Sequence, residues 1–355
     1  MVNLERLLVK HTDSIREVMA SIDRNAKAIA LVVDEERRLI ATVTDGDIRR
    51  AILAAMDLDL PIQMLIERRI PEPHLVPVTA RVGASDAQLL RMMNEYGLRH
   101  IPILDEAGRV IDVALLSDLV KNYELPLTAV IMAGGYGTRL KPLTEKAPKP
   151  MLPIGNQLLL ERIINQLREA GIRRVHLATH YKKEMISGHF GDGKSFGVEV
   201  RYVEENQPLG TAGALSLLDA SGDPILVVNG DILNQIDFRA MLDFHREHGA
   251  DMTVGVRHFE QQIPYGRVET EGVRVTRISE KPTLRCYINA GIYLLDPNLC
   301  RLIPVGQSYD MPDLINQLIL EGRRVINFPV LGYWLDIGHK EDYERAQADS
   351  ESEKV

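Results

Sequence analysis

Two glycine-rich stretches of the chain contain the residue types that bind phosphate groups. Residues 188–195, GHFGDGKS, match the P-loop pattern G-x-x-x-x-G-K-[ST] at every position, whereas residues 132–140, MAGGYGTRL, do not. A P-loop works because a strand leads into a glycine-rich turn with inward-pointing N–H groups, and the following helix adds its positive N-terminal end. The neighbouring elements therefore decide which stretch holds phosphate.

The 188–195 stretch has the wrong neighbours for a P-loop. A helical pattern precedes it, and a strand-like run, residues 196–205, follows it. No acidic-ended strand of the Walker B type stands in the expected order. We therefore predict a surface turn between a helix and a strand. The rival hypothesis is a P-loop NTPase whose turnover depends on Lys194.

The 132–140 stretch has the right neighbours, because an apolar strand runs into Gly134, Gly135 and Gly137. Glycines without Cβ let the backbone approach a triphosphate closely, and successive N–H groups form an anion-binding concavity. Arg139 and Lys149 supply positive charge that the acidic chain otherwise lacks. This stretch is therefore the predicted nucleoside triphosphate site.

The elements that must position this loop follow a polar stretch, KNYELP, at residues 121–126. Strand-like runs then alternate with amphipathic helices, and one helix is indicated by apolar residues at i, i+3, i+4 and i+7 from Leu160, ending at Gly171. The alternation predicts a mostly parallel sheet covered on both faces, with ligands at the carboxyl ends of its strands. The buried-strand candidates are residues 128–135, 173–179, 198–205, 225–231 and 251–257.

The region before residue 121 contains an internal repeat. Residues 28–53 align with residues 99–124 without a gap, at an offset of 71 residues. Each copy reads as helix, strand, acidic turn, strand and helix. One copy alone would leave a sheet face uncovered, so two copies predict a pseudo-twofold module.

Composition limits the possible partners. The net charge is −8 over 355 residues, which argues against nucleic acid or an anionic membrane surface as a partner. The N-terminal segment has charges every few residues and no apolar stretch of signal-peptide length, so a cytosolic protein is expected. Cys286 and Cys300 form no C-x-x-C pair, and we expect two buried free thiols rather than a disulfide or a zinc site.

The repeat resembles a pair of CBS domains, a Bateman module, over about residues 8–122. The resemblance rests on the second strand of the first copy, which runs into Thr44 and Asp47 in a T-x-x-D pattern. It implies an adenine nucleotide (AMP, ADP or ATP), with the aspartate on the ribose and the threonine on the phosphate. The second copy keeps Asp118 but has Leu115 in place of the threonine, so at most one pocket looks complete. The alternative is a dimerisation scaffold whose aspartates cap helices.

The glycine loop belongs to a longer stretch, GGYGTRLKPLTEKAPKPMLPIG, which resembles the signature of the sugar-1-phosphate nucleotidylyltransferases. EENQPLGTAGAL, VVNGD, YGRV, ISEKP, NAGIYLL and YWLDIG follow in the family's order, so the resemblance covers about residues 126–348. It implies a Rossmann-like, mixed and mostly parallel sheet of the nucleotide-diphospho-sugar transferase (GT-A-like) type, preceded by an α+β CBS pair. We expect the domains to span residues 1–124 and 126–350.

The resemblance also implies the chemistry and the site. In a Mg²⁺-dependent reaction, a nucleoside triphosphate and a sugar 1-phosphate give an NDP-sugar and pyrophosphate. The implied catalytic residues are Arg139, Lys149 and Asp231. The implied metal ligands are Asp231 and Asp336, which both lie where the carboxyl edge of a sheet is expected. The implied nucleotide-binding residues are Ala133, Gly134, Gly135, Gly137, Thr138, Glu205, Gly210 and Thr211. The implied sugar-phosphate residues are Gly266, Glu280, Lys281 and Asn289.

The base preference follows from Glu205, five residues before Gly210. A carboxylate offers only acceptors, and the Watson–Crick edge of guanine presents two donors, whereas that of uracil or thymine mixes one donor with two acceptors. GTP is therefore preferred. In both modules the chain resembles the glucosamine-1-phosphate guanylyltransferases of legionaminic acid synthesis. Mannose-1-phosphate guanylyltransferases and thymidylyl or uridylyl transferases are the alternatives within the family.

A rival from another class is an inactive transferase domain that serves as a scaffold, with the CBS pair sensing nucleotides. Arg139, Lys149, Asp231 and Asp336 argue against it, because a scaffold has no need of all four. In either case the paired CBS domains suggest a homo-oligomer.

Overall fold

The computed structural model describes residues 3–25, 27–68, 76–120, 124–219 and 222–352. Residues 121–123, which begin the polar stretch expected between the two halves, lie outside the described residues. Within the described ranges, no helix combines the length and the apolar character needed to cross a membrane.

The N-terminal half consists of two three-stranded sheets with their helices. In each sheet the first two strands are parallel and the third pairs antiparallel with the second. The predicted order of helix, strand, turn, strand and helix is confirmed in both copies. The elements are β1 (Leu8–Lys10), α1 (Ile15–Asn25), β2 (Ile29–Val33), β3 (Leu39–Thr44), α2 (Asp45–Leu53), α3 (Ile62–Glu67), β4 (Ala80–Arg81), α4 (Asp86–Tyr96), β5 (His100–Leu104), β6 (Val110–Leu115) and α5 (Leu116–Leu119).

The two copies meet through equivalent hairpin turns. Asp34 accepts a hydrogen bond from the Arg38 N–H in one turn, and Asp105 accepts one from the Arg109 N–H in the other. Arg38 and Arg109 then form an antiparallel bridge between the copies. The sheets also share one apolar cluster, with buried residues Leu7, Ile29, Leu31, Val33, Val110, Val113 and Leu115. The predicted pseudo-twofold arrangement is therefore built from equivalent residues of the repeat.

The C-terminal half contains a seven-stranded sheet and its helices. Its elements are β7 (Thr128–Met132), β8 (Pro153–Ile154), β9 (Gln157–Leu158), α6 (Leu159–Glu169), β10 (Arg174–Thr179), α7 (Lys183–Phe190), β11 (Glu199–Glu204), β12 (Ile225–Asn229), β13 (Ile232–Asn234), α8 (Phe238–Glu247), β14 (Met252–Gln262), β15 (Arg267–Glu271), β16 (Arg274–Ser279), β17 (Thr283–Leu295), α9 (Met311–Leu320), β18 (Val325–Pro329), β19 (Trp334–Asp336) and α10 (Lys340–Glu351).

The strand order of this sheet is β11-β10-β7-β12-β17-β14-β18, and only β17 runs antiparallel to its neighbours. The predicted mixed, mostly parallel sheet is confirmed. Helix α6 buries Leu160, Ile163, Ile164 and Leu167, as its spacing predicts. One apolar cluster joins α6, α7 and α8 to the sheet, and a second joins α9 to the sheet.

The carboxyl end of β7 lies at the point where the strand order reverses, because the chain runs from β7 to β10 and β11 on one side and later to β12 on the other. Such a switch point opens a crevice for ligands in α/β sheets. The turn after β12 lies against the end of β7, where the Gly230 N–H donates to the Met132 carbonyl at 2.9 Å. A Cβ at Gly230 would lie 2.7 Å from that oxygen, so the close approach of the two strand ends requires glycine.

Several local predictions can be compared with the structure. The 188–195 stretch joins a helix to a strand, as expected, because residues 188–190 end α7 and residues 191–195 form the turn that leads towards β11. Lys194 is exposed in this turn and paired with Asp192. Asp237 rather than Asp231 caps α8, by accepting from the Ala240 N–H. The expectation of two buried thiols is wrong for Cys286, which is exposed because its strand β17 extends beyond the core.

Thr44 caps helix α2 in a capping box with Asp47. The Thr44 hydroxyl accepts from the Asp47 N–H, and Asp47 Oδ2 accepts from the Thr44 N–H at 2.7 Å. Leu115, at the equivalent position of the second copy, makes no side-chain cap. These contacts give Thr44 and Asp47 a structural role in addition to the nucleotide role predicted for them.

We expect Thr44→Ala to lower the free energy of unfolding by about 1 kcal/mol, because the first turn of α2 loses its cap. Thr44→Ser keeps the hydroxyl and should unfold close to the unchanged protein. Urea unfolding followed by circular dichroism measures both, and an alanine variant as stable as the serine variant would contradict the role of the cap.

Candidate functional site

The loop after β7 is held in shape by a buried threonine. Gly137 has a left-handed backbone, with φ at 62°, and Thr144 donates from its Oγ1 to the Gly137 carbonyl at 2.8 Å. A Cβ at Gly137 would lie 2.8 Å from Thr144 Cγ2. Both the backbone angle and the packing therefore require glycine at this position.

This loop forms one wall of a cleft of about 280 Å³ at the carboxyl ends of β7 and β12. The cleft brings together seven of the residues predicted for the nucleotide and the catalytic machinery. The described residues that line it are Met132, Ala133, Gly135, Tyr136, Gly137, Thr138, Arg139, Leu140, Lys149, Pro150, Gly230, Asp231 and Gly338.

Lys149 enters the cleft from the start of the short 3-10 turn Lys149–Met151. Its side chain is only 10% exposed, and its Nζ lies 2.6 Å from Asp231 Oδ2. A lysine with so little solvent contact needs an anionic partner. Asp231 is that partner here, and a phosphate oxygen of a substrate could replace it.

Asp336 lies beside Asp231 because two short strands pair. In the antiparallel ladder of β13 and β19, Asp336 is opposite Ile232, and the Ile337 N–H donates to the Asp231 carbonyl at 3.0 Å. Partial burial, and then the negative charge of Asp231, raise the pKa of Asp336, while Lys149 and Arg139 oppose the rise. Two acids thus share one small volume.

Arg139 reaches the same point from the glycine loop. A Cβ built on Gly338 would lie 3.7 Å from an Arg139 guanidinium nitrogen and 3.9 Å from Asp336 Oδ1. The side chains of Arg139 and Asp336 therefore both border Gly338. Arg139, Lys149 and Asp231 line the cleft, and Asp336 lies beside them, next to Gly338.

The donor set fits a hard divalent cation that shares its coordination with a substrate. Mg²⁺ is bound in proteins by one or two carboxylates together with phosphate oxygens and water. The described residues contain no group of three or more His, Cys, Asp or Glu side chains arranged as a complete metal cage. Asp231 and Asp336 are the carboxylates available here, and phosphate oxygens would have to complete the shell.

Glu205 lies at the other side of the glycine loop. It is buried, its Oε2 accepts from the Leu209 N–H at 2.9 Å, and a Cβ at Gly134 would lie 2.9 Å from its Oε1. Burial raises the pKa of the Glu205 carboxyl. One carboxylate oxygen is thus committed to the backbone, and the other lies against Gly134.

Two aromatic side chains that the sequence did not indicate support this corner. His180 Nδ1 lies 2.9 Å from the Glu205 carbonyl oxygen, and its Nε2 lies 3.0 Å from the Tyr136 hydroxyl. Tyr136 also lines the cleft. The position of Tyr136 between two glycines of the loop is a sequence signal that could have indicated it. His180 follows an ordinary strand, which gives no such signal.

Gly210 and Thr211 are held by a residue that no sequence pattern indicated. The Thr211 N–H donates to Asp310 Oδ1 at 2.9 Å, and Thr211 Oγ1 accepts from the Met311 N–H at 2.8 Å. Gly210 has φ at 78°, and a Cβ there would lie 2.6 Å from Asp310 Oδ1. Asp310 is 99 residues from Thr211, so only the folded chain shows this contact.

The residues predicted for the sugar phosphate lie outside the cleft lining. Glu280 Oε2 would lie 3.3 Å from a Cβ at Gly266, so these two residues are neighbours. Lys281 has a left-handed backbone with φ at 43°. Asn289 lies on β17, where its Nδ2 donates to the Tyr293 hydroxyl and its Oδ1 accepts from the Gly291 N–H.

Comparison with known proteins agrees with this geometry. The family model described as nucleotidyl transferase matches residues 128–353, and the model of the CBS domain matches residues 5–54 and 70–124. Because the first match covers more than half of the 355 residues, the chain belongs to the nucleotidyl transferase family. It carries a tandem pair of CBS domains in its N-terminal half, as the repeat and its motif suggested.

Two curated relatives are similar to the C-terminal part of the chain in sequence. The chain is 37% identical over 230 residues to the mannose-1-phosphate guanylyltransferase of Mycobacterium tuberculosis, covering 62% of this chain and 64% of that protein. It is 34% identical over 228 residues to mannose-1-phosphate guanylyltransferase 1 of Arabidopsis thaliana, covering 61% and 63%. The chain thus spans less than two thirds of the length of these relatives.

A solved structure is also similar. It is HddC from Yersinia pseudotuberculosis complexed with GMP-PN, which is 27% identical to this chain with a TM-score of 0.50. The similarity covers 63% of this chain and 99% of that one. A domain of the size of that whole protein is therefore contained in this chain.

Gly137→Ala should weaken nucleotide binding and lower the free energy of unfolding by about 1 to 3 kcal/mol, because the new Cβ meets Thr144 in a backbone conformation that disfavours it. Gly135→Ala is the matched control for stability, since a Cβ at Gly135 meets nothing within 4 Å. Thermal unfolding and equilibrium dialysis of labelled GTP measure the two effects. Equal melting temperatures for the two variants would contradict the constraint at Gly137.

Proposed function

We propose that the chain transfers a nucleotidyl group from a nucleoside triphosphate, GTP by preference, to a sugar 1-phosphate and releases pyrophosphate. One observation carries the proposal, namely that the glycine loop, Arg139, Lys149, Asp231 and Asp336 meet at the switch point of the sheet. A scaffold without activity has no need to hold two cations and two acids in one cleft.

The reaction requires an anionic oxygen of the sugar phosphate to attack the α-phosphorus of a polyanion. A bond forms between that oxygen and the α-phosphorus, and the bond from the α-phosphorus to the β-phosphate oxygen breaks, with its electron pair leaving on pyrophosphate. The attacking oxygen is already ionised, so no protein base is needed. The obstacle is like-charge repulsion, which is about 4 kcal/mol for two unit charges 4 Å apart at an effective dielectric near 20.

The cationic side chains of the cleft are placed to reduce this repulsion. Arg139 follows the glycine loop and can stabilise the charge on the β-phosphate and the departing pyrophosphate. Lys149 can turn from Asp231 to an α-phosphate oxygen without leaving the cleft, because its amine is already directed there. The backbone N–H groups of the glycine loop can bind the remaining phosphate oxygens.

Asp231 and Asp336 are the residues that would hold Mg²⁺. When bound, the cation supplies positive charge to the phosphate oxygens. A cation held there would also offset the repulsion between the two carboxylates, which Lys149 reduces by its ion pair with Asp231.

Guanine is the proposed base. Glu205 Oε1 lies against the glycine loop, and we propose that it accepts from a donor on the base edge, which guanine provides. The names of the relatives from M. tuberculosis and A. thaliana and the GMP-PN complex of HddC point to guanine nucleotides in related proteins. These observations support the proposal and leave uridylyl or thymidylyl transfer as the alternative that an assay excludes.

The acceptor is proposed at the level of the class. Relatives named as mannose-1-phosphate guanylyltransferases support mannose 1-phosphate. The resemblance of both modules to the enzymes of legionaminic acid synthesis supports glucosamine 1-phosphate. Glu280 and Asn289 are the proposed contacts for sugar hydroxyls, and Lys281 is the proposed contact for the sugar phosphate. Adenine-nucleotide binding at Thr44, Asp47 and Asp118, a homo-oligomer and a cytosolic location stay predictions.

The proposal is tested by pyrophosphate release from four NTPs, each combined with the 1-phosphates of mannose, glucose, glucosamine and N-acetylglucosamine in the presence of Mg²⁺. We expect GTP with one of these sugars to give the highest kcat/KM. Lys149→Ala should lower kcat by about 10²- to 10³-fold, because a preorganised charge at the reacting phosphate is lost. Lys194→Ala, at the exposed turn after α7, is the control and should leave kcat unchanged.

The same pair of variants separates the rival functions. A P-loop NTPase would lose turnover in Lys194→Ala and keep it in Lys149→Ala. An inactive scaffold would release no pyrophosphate from any of the sixteen combinations of NTP and sugar 1-phosphate, all tested at about equal concentration and purity.

The pH dependence of guanine recognition follows from the raised pKa of Glu205. Below that pKa the carboxyl is protonated and loses acceptor capacity, so the KM for GTP should rise as the pH falls through a range above that of an ordinary glutamate. Glu205→Gln should raise the KM for GTP at neutral pH by about 10- to 100-fold, since a hydrogen bond to a charged group is lost. In this variant the KM for GTP should also rise much less as the pH falls.

Steady-state kinetics of the unchanged protein and of Glu205→Gln measure this effect at pH values from 5 to 8, about one pH unit apart, at saturating sugar 1-phosphate. Protonation of GTP itself affects both proteins equally and cancels in their ratio. A ratio of KM values that does not change with pH would show that Glu205 does not read the base.

A further inference from the structure

The two halves of the protein share one segment of chain that leads to Asp336. This connecting segment, residues 329–333, joins β18 at the edge of the large sheet to β19, whose last residue is Asp336. Strand β19 has three residues and, among the described residues, pairs with β13 alone. A two-stranded ladder of this length is marginal by itself. Leu335 packs in an apolar cluster of the C-terminal half, and the connecting segment is a second support for the position of β19.

Arg49, on α2 of the first CBS copy, holds the beginning of the segment. Its side chain is almost fully buried, its Nε donates to the Pro329 carbonyl at 3.3 Å, and its guanidinium lies 3.7 Å from the ring centroid of Phe328. An ion pair with Asp45, four residues earlier on the helix, fixes the guanidinium. A planar, charged group that stacks and donates at once cannot be replaced by a simple alkyl chain.

Leu331, in the middle of the segment, is held by its contact with the first CBS copy. Its side chain belongs to the C-terminal half by sequence, yet it packs against the apolar core of the first CBS copy, which includes Ile15, Val18 and Ile48. The side chain is partly buried there, and removing its apolar surface from water favours one position of the segment over others. The core of one domain is therefore completed by a residue of the other.

Asp23, on α1, holds the end of the segment. Burial raises the pKa of its carboxyl, and Arg257 and the backbone of Tyr333, one residue before β19 begins, oppose the rise. Its Oδ1 would lie 3.1 Å from a Cβ at Gly332, so the carboxylate lies directly against the chain. Arg49 and Asp23 of the first CBS copy thus contact the beginning and the end of the segment, and Leu331 in its middle packs against the core of that copy.

The C-terminal half supplies the remaining contacts of the segment. Arg257, on β14, donates to the carbonyls of Val330, Leu331 and Gly332 at 3.0, 2.9 and 2.6 Å. The Gln235 N–H donates to the Tyr333 carbonyl at 2.9 Å. The carbonyls of residues 329–333 are therefore all accepting bonds, and the bond to Pro329 comes from the CBS copy.

We propose that the first CBS copy positions Asp336 for the cleft, with Arg49 and Leu331 as positioning residues that act through the connecting segment. This inference rests on the proposed function in one respect, namely that Asp336 holds the divalent cation. On this view the N-terminal half is part of the structure that builds the metal site, and any change that moves α2 relative to β18 changes the geometry at Asp336.

The direct test is hydrogen exchange of the full chain without ligands. Arg49→Ala removes the donor to Pro329 and should speed exchange of the backbone amides of residues 333–337 by about 3- to 30-fold, the range of coupling effects between linked sites. Leu331→Ala tests the same inference from the C-terminal side and is the second variant if Arg49→Ala does not fold. Unchanged exchange in this stretch in the folded variants overturns the inference.

Two control variants separate positioning from general destabilisation. Arg50→Ala changes the neighbouring arginine of α2, whose side chain is 55% exposed. Met93→Ala opens a cavity in the core of the second CBS copy, away from the connecting segment. Neither should speed exchange in residues 333–337. If Met93→Ala speeds that exchange as much as Arg49→Ala does, the inference fails.

Kinetics provide a second readout that loss of folded protein would not produce. In pyrophosphate release, Arg49→Ala should raise the Mg²⁺ concentration for half-maximal rate by about 3- to 10-fold, and Arg49→Lys should restore part of the loss. A lower kcat with an unchanged Mg²⁺ dependence counts against positioning. If the unchanged protein releases no pyrophosphate, the proposed function fails, and the exchange experiment still decides whether the CBS copy positions the 333–337 stretch.

Discussion

The site depends on the balance of charge where two strands of the large sheet end. The proposed substrates are polyanions, whereas the chain that would bind them has a net charge of −8. Arg139 and Lys149 are placed against Asp231 and Asp336, so that opposite charges stabilise one another before any substrate is present. Two acids alone would repel, and two cations alone would be costly to desolvate. The proposed reaction uses the same groups, with phosphate oxygens and a divalent cation redistributing the pairs.

The backbone makes this concentration of charge possible. Because β7 and β12 are neighbours at the switch point, their following turns enter one crevice, and Gly230 permits the contact between them. The glycine loop keeps its shape through Thr144, and the turn at Gly210 keeps its shape through Asp310. Rigid support of this kind matters because a displacement of about 1 Å at reacting groups can cost about 10²-fold in rate.

The two halves are joined by more than a linker. Leu331 packs against the core of the first CBS copy, and Arg49 and Asp23 of that copy contact the connecting segment. A cavity of about 490 Å³ lies between the halves next to these contacts, lined by Arg49, Leu331 and Gly332 among others. The interface is therefore incompletely packed beside the contacts of Arg49 and Leu331.

The sequence by itself determined the features that depend on local pattern. Alternating strands and helices indicated the mostly parallel sheet, the ungapped repeat indicated the CBS pair, and glycines after an apolar strand indicated the loop, because periodicity and the conformational freedom of glycine act over a few residues. Burial was predicted less well, because Cys286, which was expected to be buried, is exposed. Only the tertiary structure joined Thr211 to Asp310, 99 residues away, and Arg49 to Pro329, 280 residues away. Such contacts depend on how distant elements pack, and no local pattern in either partner encodes them.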